Sequence, residues 1–206
     1  MEKVVNNTYN AKVKFNTVAP KSFASKGKVR DKAMDRKDFN KVKATFKNQN
    51  SNGAKAMEIS ARWGLRVPEI AKLQGRDIDL KNNKIHIVDS KGGRSRDINI
   101  RQEDKYFAIR LRNSCKDEYE RIVPIRGASI NVAVNRALDK AGLKEEYKDT
   151  SIHCIRKMAA QEFYDRCREQ EQDINSSLGD TSLFLGHSEE RGRDMELMSA
   201  YIHNIH

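Results

Sequence analysis

The chain has 206 residues and a mass of 23.6 kDa, with 37% hydrophobic and 33% charged residues, which suits one domain of ordinary size with an appendage at most. Its net charge of +11 and pI near 9.6 point to a polyanionic partner, with nucleic acid ahead of an anionic membrane. No apolar stretch approaches the about 20 residues of a membrane-spanning helix, and the start, MEKVVNNTYN, lacks a signal-peptide core. Three cysteines without CxxC spacing (Cys115, Cys154, Cys167) indicate neither a disulfide frame nor a zinc site, and a reduced cytoplasm is the simplest home.

Residues 1–34 hold eight Lys/Arg and two Asp/Glu, a net of +6 in one sixth of the chain. They show no sustained helical period. They read as an extended basic arm, with Lys12, Lys14, Lys21, Lys26, Lys28 and Arg30 available to a phosphate backbone; a disordered tail is the alternative. Residues 35–206 read as the folded domain. Asp35 or Arg36 opens a helix, MDRKDFNKVKATFKNQN, which the turn-prone SNG at 51–53 closes. A second helix, AKAMEISARWG, sets Ala56, Ile59 and Trp63 at helical spacing and ends at Gly64. VPEIAKLQG follows, with Pro68 in a first helical turn and Gly75 closing the segment. Residues 84–100 switch to period two: Ile85, Ile87, Ile98 and Ile100 alternate with polar residues around Gly92-Gly93, the pattern of an antiparallel hairpin.

Helical patterns resume in EDKYFAIRLRNSCKDEYERI, in ASINVAVNRALDKAGL (ended by Gly142) and in HCIRKMAAQEFYDRCREQ. A polar break, DINSSLGD, precedes a short helix, SLFLGH. A loop containing Gly192 leads to a last helix, MELMSAYIHNI, with Tyr201 among its apolar positions. The predicted fold class is therefore mainly α with a small antiparallel β-hairpin or sheet.

Six side chains stand out by chemistry: Arg66 in GLRVPEI, Lys91 in DSKGGRSRDI, His153 and Arg156 in HCIRK, His187 in LGHS, and Tyr201 in AYIH. Singly, each has a bland reading. Arg66 alone is a surface arginine, HxxR a solvated helix face and Lys91 a solubility residue. His187 alone is a helix cap or core histidine, and Tyr201 is core packing. Glu69, three residues after Arg66, can hold its guanidinium through a helical-turn pair. His153 and Arg156, at i and i+3, project from one helix face. Jointly they supply guanidinium, ammonium, imidazole and phenol groups without a carboxylate cluster for a metal. Such a set suits attack on a phosphodiester by a side-chain oxygen while cations absorb negative charge.

GLRVPEIAKLQGRDID, a hairpin with SKGGRSRDI, HCIRK, LGHS and YIH, in this order, closely resemble the tyrosine recombinase (phage integrase) family over about residues 35–206. The resemblance implies the catalytic-domain fold of the DNA breaking-rejoining enzymes. It also implies site-specific recombination through a 3′-phosphotyrosyl intermediate, with no metal, ATP or other cofactor. Arg66, Arg156 and His187 would hold the non-bridging oxygens, His153 would assist the tyrosine, Lys91 would protonate the leaving 5′-oxygen, and Tyr201 would be the nucleophile. Arg94 and Arg96 on the hairpin would join the arm's basic residues as DNA contacts. Double-stranded DNA is the implied partner, with self-association from dimer to tetramer on it. The implied location is a prokaryotic cytoplasm, at the nucleoid, in a phage or other mobile element.

The chain departs from the family pattern in two spacings, His153 to His187 (34 positions) and His187 to Tyr201 (14 positions). DINSSLGDT and EERGRD are the expected extra segments. Tyr164, inside the HxxR helix, is a weaker rival nucleophile. The absence of a separate N-terminal helical domain suggests a compact single-domain member or a catalytic fragment. Two other readings stay open: a type IB topoisomerase-like activity sharing this chemistry, and a non-catalytic DNA-binding protein on the same fold. An unrelated RNA- or membrane-binding protein lacks support, since no aromatic stacking platform or basic amphipathic helix is visible.

Overall fold

A computed structural model describes residues 32–88, 95–148 and 150–206. Lys91, Arg94 and the arm residues Lys12, Lys14, Lys21, Lys26, Lys28 and Arg30 lie outside them.

Helix α1 (Arg36–Ala44) begins where Asp35 accepts a hydrogen bond from the Asp38 amide, a side-chain N-cap. Packing reaches back before it. Met34 is buried, and its amide donates to the Cys154 carbonyl at 3.0 Å. Ser51 likewise caps α2 (Asn52–Trp63), so the SNG segment starts a helix as well as ending a turn. This helix is the spine of the core. Ala56, Met57, Ile59 and Trp63 are fully enclosed, and each large apolar side chain so buried contributes about 1.5–3 kcal/mol. Gly64 then takes a left-handed conformation (φ 60) that ends the helix, and α3 (Val67–Lys72) starts after Leu65 and Arg66 with a proline in its first turn.

The period-two segment forms the predicted hairpin, widened by one short strand. Among the described residues β1 (Ile78–Asp79), β2 (Lys84–Ile87) and β3 (Arg96–Asn99) form an antiparallel sheet in the order β1-β2-β3. Ile85 sits opposite both Ile78 and Ile98, so the apolar residues share the inner face.

Helix α4 (Lys105–Asn113) is shorter than the sequence pattern suggested. It stops before Cys115, and the following polar residues make turns. Helices α5 (Gly127–Lys140) and α6 (Ile152–Glu169) complete the layer around α2.

Two predicted boundaries need correction. DINSSLGD is no break: Asp173 caps α7 (Ile174–Phe184), which runs through it unbroken. Thr181 returns its hydroxyl hydrogen bond to the Ser177 carbonyl at 2.7 Å, and Ser182 donates to the Ser188 carbonyl at 2.7 Å, so these polar side chains are satisfied inside the fold. The last helix, α8 (Met195–Ser199), is five residues long and ends before Tyr201. A 3-10 turn at Glu189–Arg193 occupies the supposed loop and packs closely on α7. Among the described residues no helix is long and apolar enough to cross a membrane.

Candidate active site

The GLR segment places Arg66 by backbone geometry. The left-handed Gly64 turns the chain off α2, Leu65 is buried, and Arg66 becomes the residue preceding α3. Glu69, one turn into α3, accepts the Arg66 amide through Oε2 at 2.8 Å and Arg66 Nη1 through Oε1 at 3.1 Å. The same carboxylate also receives Arg96 from β3, at 2.8 Å from Nη1 to Oε1 and 3.1 Å from Nη2 to Oε2. The predicted Glu69 support for Arg66 is therefore present, and it is shared.

Arg96, expected with Arg94 as a DNA contact, has a side chain 12% exposed that is paired with Glu69. Period two carried the signal. Arg96 alternates in register with Ile98 and Ile100 on the inner face, so its charge had to be met inside.

Arg156 rises from the second turn of α6 into the core, 2% exposed. One Nη donates to the Gly64 carbonyl, and Nη2 donates to the Leu185 carbonyl at 2.6 Å. It thus ties together the two turns that deliver Arg66 and His187. Burial above all, then the nearby Arg66 charge, lowers its pKa to about 10. Its Nε–H has no acceptor among the described residues. Among the described residues no carboxylate forms an ion pair with this guanidinium, and Glu69 acts on it only at longer range, an arrangement that an arriving anion would relieve.

LGH is the end of α7. Gly186 adopts φ +72, its amide donates to the Leu183 carbonyl at 2.8 Å, and the His187 amide donates to the Ser182 carbonyl at 2.9 Å. These paired bonds form a Schellman C-cap with His187 just beyond it. His187 Nε2 lies 3.2 Å from Arg66 Nη2. Burial first, then the Arg66 and Arg156 charges, lower its pKa to about 4.

Tyr201 follows α8 in a turn, its amide bonded to the Met198 carbonyl at 2.9 Å. Its buried neighbours Met198 and Ile202 anchor the backbone in a small cluster with Tyr164 and Leu178. The ring lies over Arg156, 5.6 Å from Cζ to centroid. His153 and His187 flank it at centroid distances of 5.7 and 6.1 Å. Five of the six singled-out residues thus converge, and the sixth, Lys91, lies outside the described residues. Tyr164 does not face this cleft. It is fully buried, with its hydroxyl bonded to the His206 carbonyl at 2.9 Å.

Among the described residues no group of three His, Cys, Asp or Glu side chains could hold a metal ion.

The model of the phage integrase family matches residues 32–172, over half of the chain. The chain belongs to the phage integrase family. Arg66, Lys91, His153 and Arg156 fall within the matched span, and His187 and Tyr201 lie beyond it. Comparison with curated proteins finds no match. Among solved structures, this integrase-family chain is similar to one described as the crystal structure of XerA recombinase. That pair has a TM-score of 0.59 at 18% identity, covering 93% of this chain and 66% of the other. It is also similar to an integrase from mycobacterium phage Brujita, with a TM-score of 0.54 at 18% identity, covering 82% and 57%. These likenesses establish the fold: a mainly helical domain with a small antiparallel sheet. The chain spans less than two thirds of either protein's length.

Proposed function

We propose that this chain is a site-specific recombinase that cuts and rejoins duplex DNA through Tyr201, forming a 3′-phosphotyrosyl intermediate. The observation that carries the reading is the enclosure of one tyrosine ring by Arg156, His153 and His187, with Arg66 bonded to His187. A phenol titrates near about 10 and is a poor nucleophile at neutral pH unless cations stabilise the developing charge. The under-compensated Arg156 and the Arg66–Arg96 pair are pre-placed for that task. Preorganised donors of this kind are worth about 3–4 kcal/mol each in rate.

In the proposed step the Tyr201 oxygen bonds to phosphorus, the P–O5′ bond breaks, and Lys91 gives its proton to the leaving oxygen. The phenolic proton passes to His153. Neither strand energy nor phosphate charge is lost, so a second 5′-hydroxyl reverses the attack. The Tyr201 ring lies over Arg156, close to where Arg66 and Arg156 would take the non-bridging oxygens. Self-association on DNA and backbone contacts from the basic arm belong to the same proposal.

The test is a nicked suicide duplex that traps the covalent product. Tyr201→Phe should bind duplex within about threefold of the parent and give no adduct, since removal of one hydroxyl leaves the cations intact. Adduct formation by this variant would refute the assignment. Exchange of strands between two duplexes supports recombination; relaxation of supercoils without exchange supports the topoisomerase-like alternative.

A further inference from the structure

Downstream of Tyr201 the chain lies along α6, the helix that also carries His153 and Arg156. The side chain of Gln161 meets it there. Gln161 Oε1 accepts both the His203 amide at 2.9 Å and the Asn204 amide at 3.1 Å. Its Nε2 donates to the Asn204 carbonyl at 3.0 Å and to Asp165 Oδ1 at 2.8 Å. The orientation of this amide follows from its partners, because a flipped side chain would set NH2 hydrogens against two backbone N–H groups. One side chain thereby acts as a surrogate strand for the two residues that lie two and three positions beyond the tyrosine. Further along α6, at i+3 and i+7 from Gln161, Tyr164 and Arg168 hold the His206 carbonyl at 2.9 and 2.7 Å. Upstream, Met198 is buried and α8 is capped by Asp194.

We propose that Gln161 is a positioning residue for the nucleophile, a latch that fixes the Tyr201 segment to the helix bearing His153 and Arg156. The inference rests on the Tyr201 reading given above. Its physical basis is leverage. Tyr201 sits in a turn outside any helix, so its ring position over Arg156 depends on what holds the backbone on each side. Ile202 contributes burial, which has little directional preference, whereas the Gln161 amide contributes directed bonds to consecutive peptide groups. A displacement near 1 Å at a reacting group costs on the order of 10²-fold in rate.

Three variants of the whole chain test this. Gln161→Leu keeps size and removes all four hydrogen bonds. Gln161→Asn keeps the amide and shortens its reach. Gln161→Glu keeps acceptance from both amides and loses the donations. Amide hydrogen exchange at His203 and Asn204, single-turnover adduct formation and duplex affinity are measured together. For Gln161→Leu, exchange at those two amides should rise at least about tenfold with α2 amides unchanged. Adduct formation should fall about 10–100-fold and affinity should stay within about threefold. Gln161→Glu should recover part of both losses. Should Gln161→Leu not fold, Gln161→Asn carries the same reading.

Unchanged exchange overturns the proposal, as does faster exchange with a normal cleavage rate. Faster exchange throughout the core also overturns it, since the residue would then be merely structural. Adduct formation by Tyr201→Phe in parallel would sink the nucleophile assignment itself. Its absence, with no Gln161 effect, would sink only the latch.

Discussion

Nη2 of Arg66 lies 3.2 Å from Nε2 of His187. A guanidinium has donors only, so the imidazole nitrogen must accept, which makes His187 neutral with its hydrogen on Nδ1. The same cations that would bind phosphate therefore keep this histidine uncharged before phosphate arrives. Its depressed pKa, about 4 through burial and then Arg66, makes folding sensitive to pH. The unfolded chain binds the extra proton below about 6.5, whereas the folded chain resists until about 4. Stability from this site is present above about 6.5 and drains away as pH falls through that window. His187→Gln should flatten the fall of the thermal midpoint between pH 7 and 4 relative to the parent. Parallel curves would show that the shift is absent.

Glu69 is the counter-charge for both Arg66 and Arg96, and its side chain is 4% exposed. Glu69→Gln retains shape and removes the charge, leaving two guanidiniums facing each other in a poorly hydrated cleft. Breaking a buried pair of this kind costs about 3–5 kcal/mol. Urea unfolding should show a loss near the lower figure, since Arg66 keeps some solvent, and adduct formation should fall with it. A loss below about 0.5 kcal/mol, the range of ordinary surface changes, would mean that the arginines are screened by water.

Gly186 has φ +72, and a Cβ there would lie 2.5 Å from Arg96 Nη1 and 3.1 Å from Arg66 Nη1. Gly186→Ala therefore both strains the cap, by about 1–2 kcal/mol, and pushes the arginines away from His187. Adduct formation should drop on the order of 10²-fold while duplex affinity changes little. The two rates being equal would show that the guanidiniums relax without consequence.

Gly192 and Gly179 bring the 3-10 turn against α7. A Cβ on Gly192 would stand 2.6 Å from the Gly179 nitrogen, with backbone and no flexible side chain in its way, whereas a Cβ on Gly179 meets the movable Glu189 Cγ at 3.2 Å. Overpacking against backbone costs about 1–3 kcal/mol. Gly192→Ala should lower the thermal midpoint and slow adduct formation, because Tyr201 hangs from this turn through α8. Gly179→Ala should be milder on both measures. Equal damage from the two would remove the asymmetry on which the argument stands.

What the sequence disclosed was local. Gly64 ending α2, Pro68 opening α3, and the alternation of Ile85, Ile87, Ile98 and Ile100 all follow from backbone preference and period two, so the positions of Arg66 and the hairpin were legible, although the register that sets Ile85 opposite Ile98 was not. LGH was legible as a cap, since a glycine in the left-handed region followed by its histidine is a short-range event. What escaped depended on contacts between distant segments. Asn175, Ser176, Ser177 and Gly179 look like a break, yet they continue α7 because Asp173 caps it and the Glu189–Arg193 turn covers it. Arg96 looks like a free cation until Glu69, 27 positions away, is brought beside it. Tyr201 was assigned to a helix that stops at Ser199, because burial of Met198 and Ile202 on α6 and α7 supplies the apolar period without helical backbone. Gln161 had no sequence signal at all, since its partners are main-chain groups.

The most direct measurement is where DNA becomes attached. After cleavage of a suicide duplex, trypsin leaves Tyr201 in the peptide spanning residues 194–206 and Tyr164 in the peptide spanning 158–166. Mass spectrometry should find the 3′-phosphoryl nucleotide on residues 194–206, at Tyr201. A nucleotide on residues 158–166, or no covalent product from the active chain, would contradict the account.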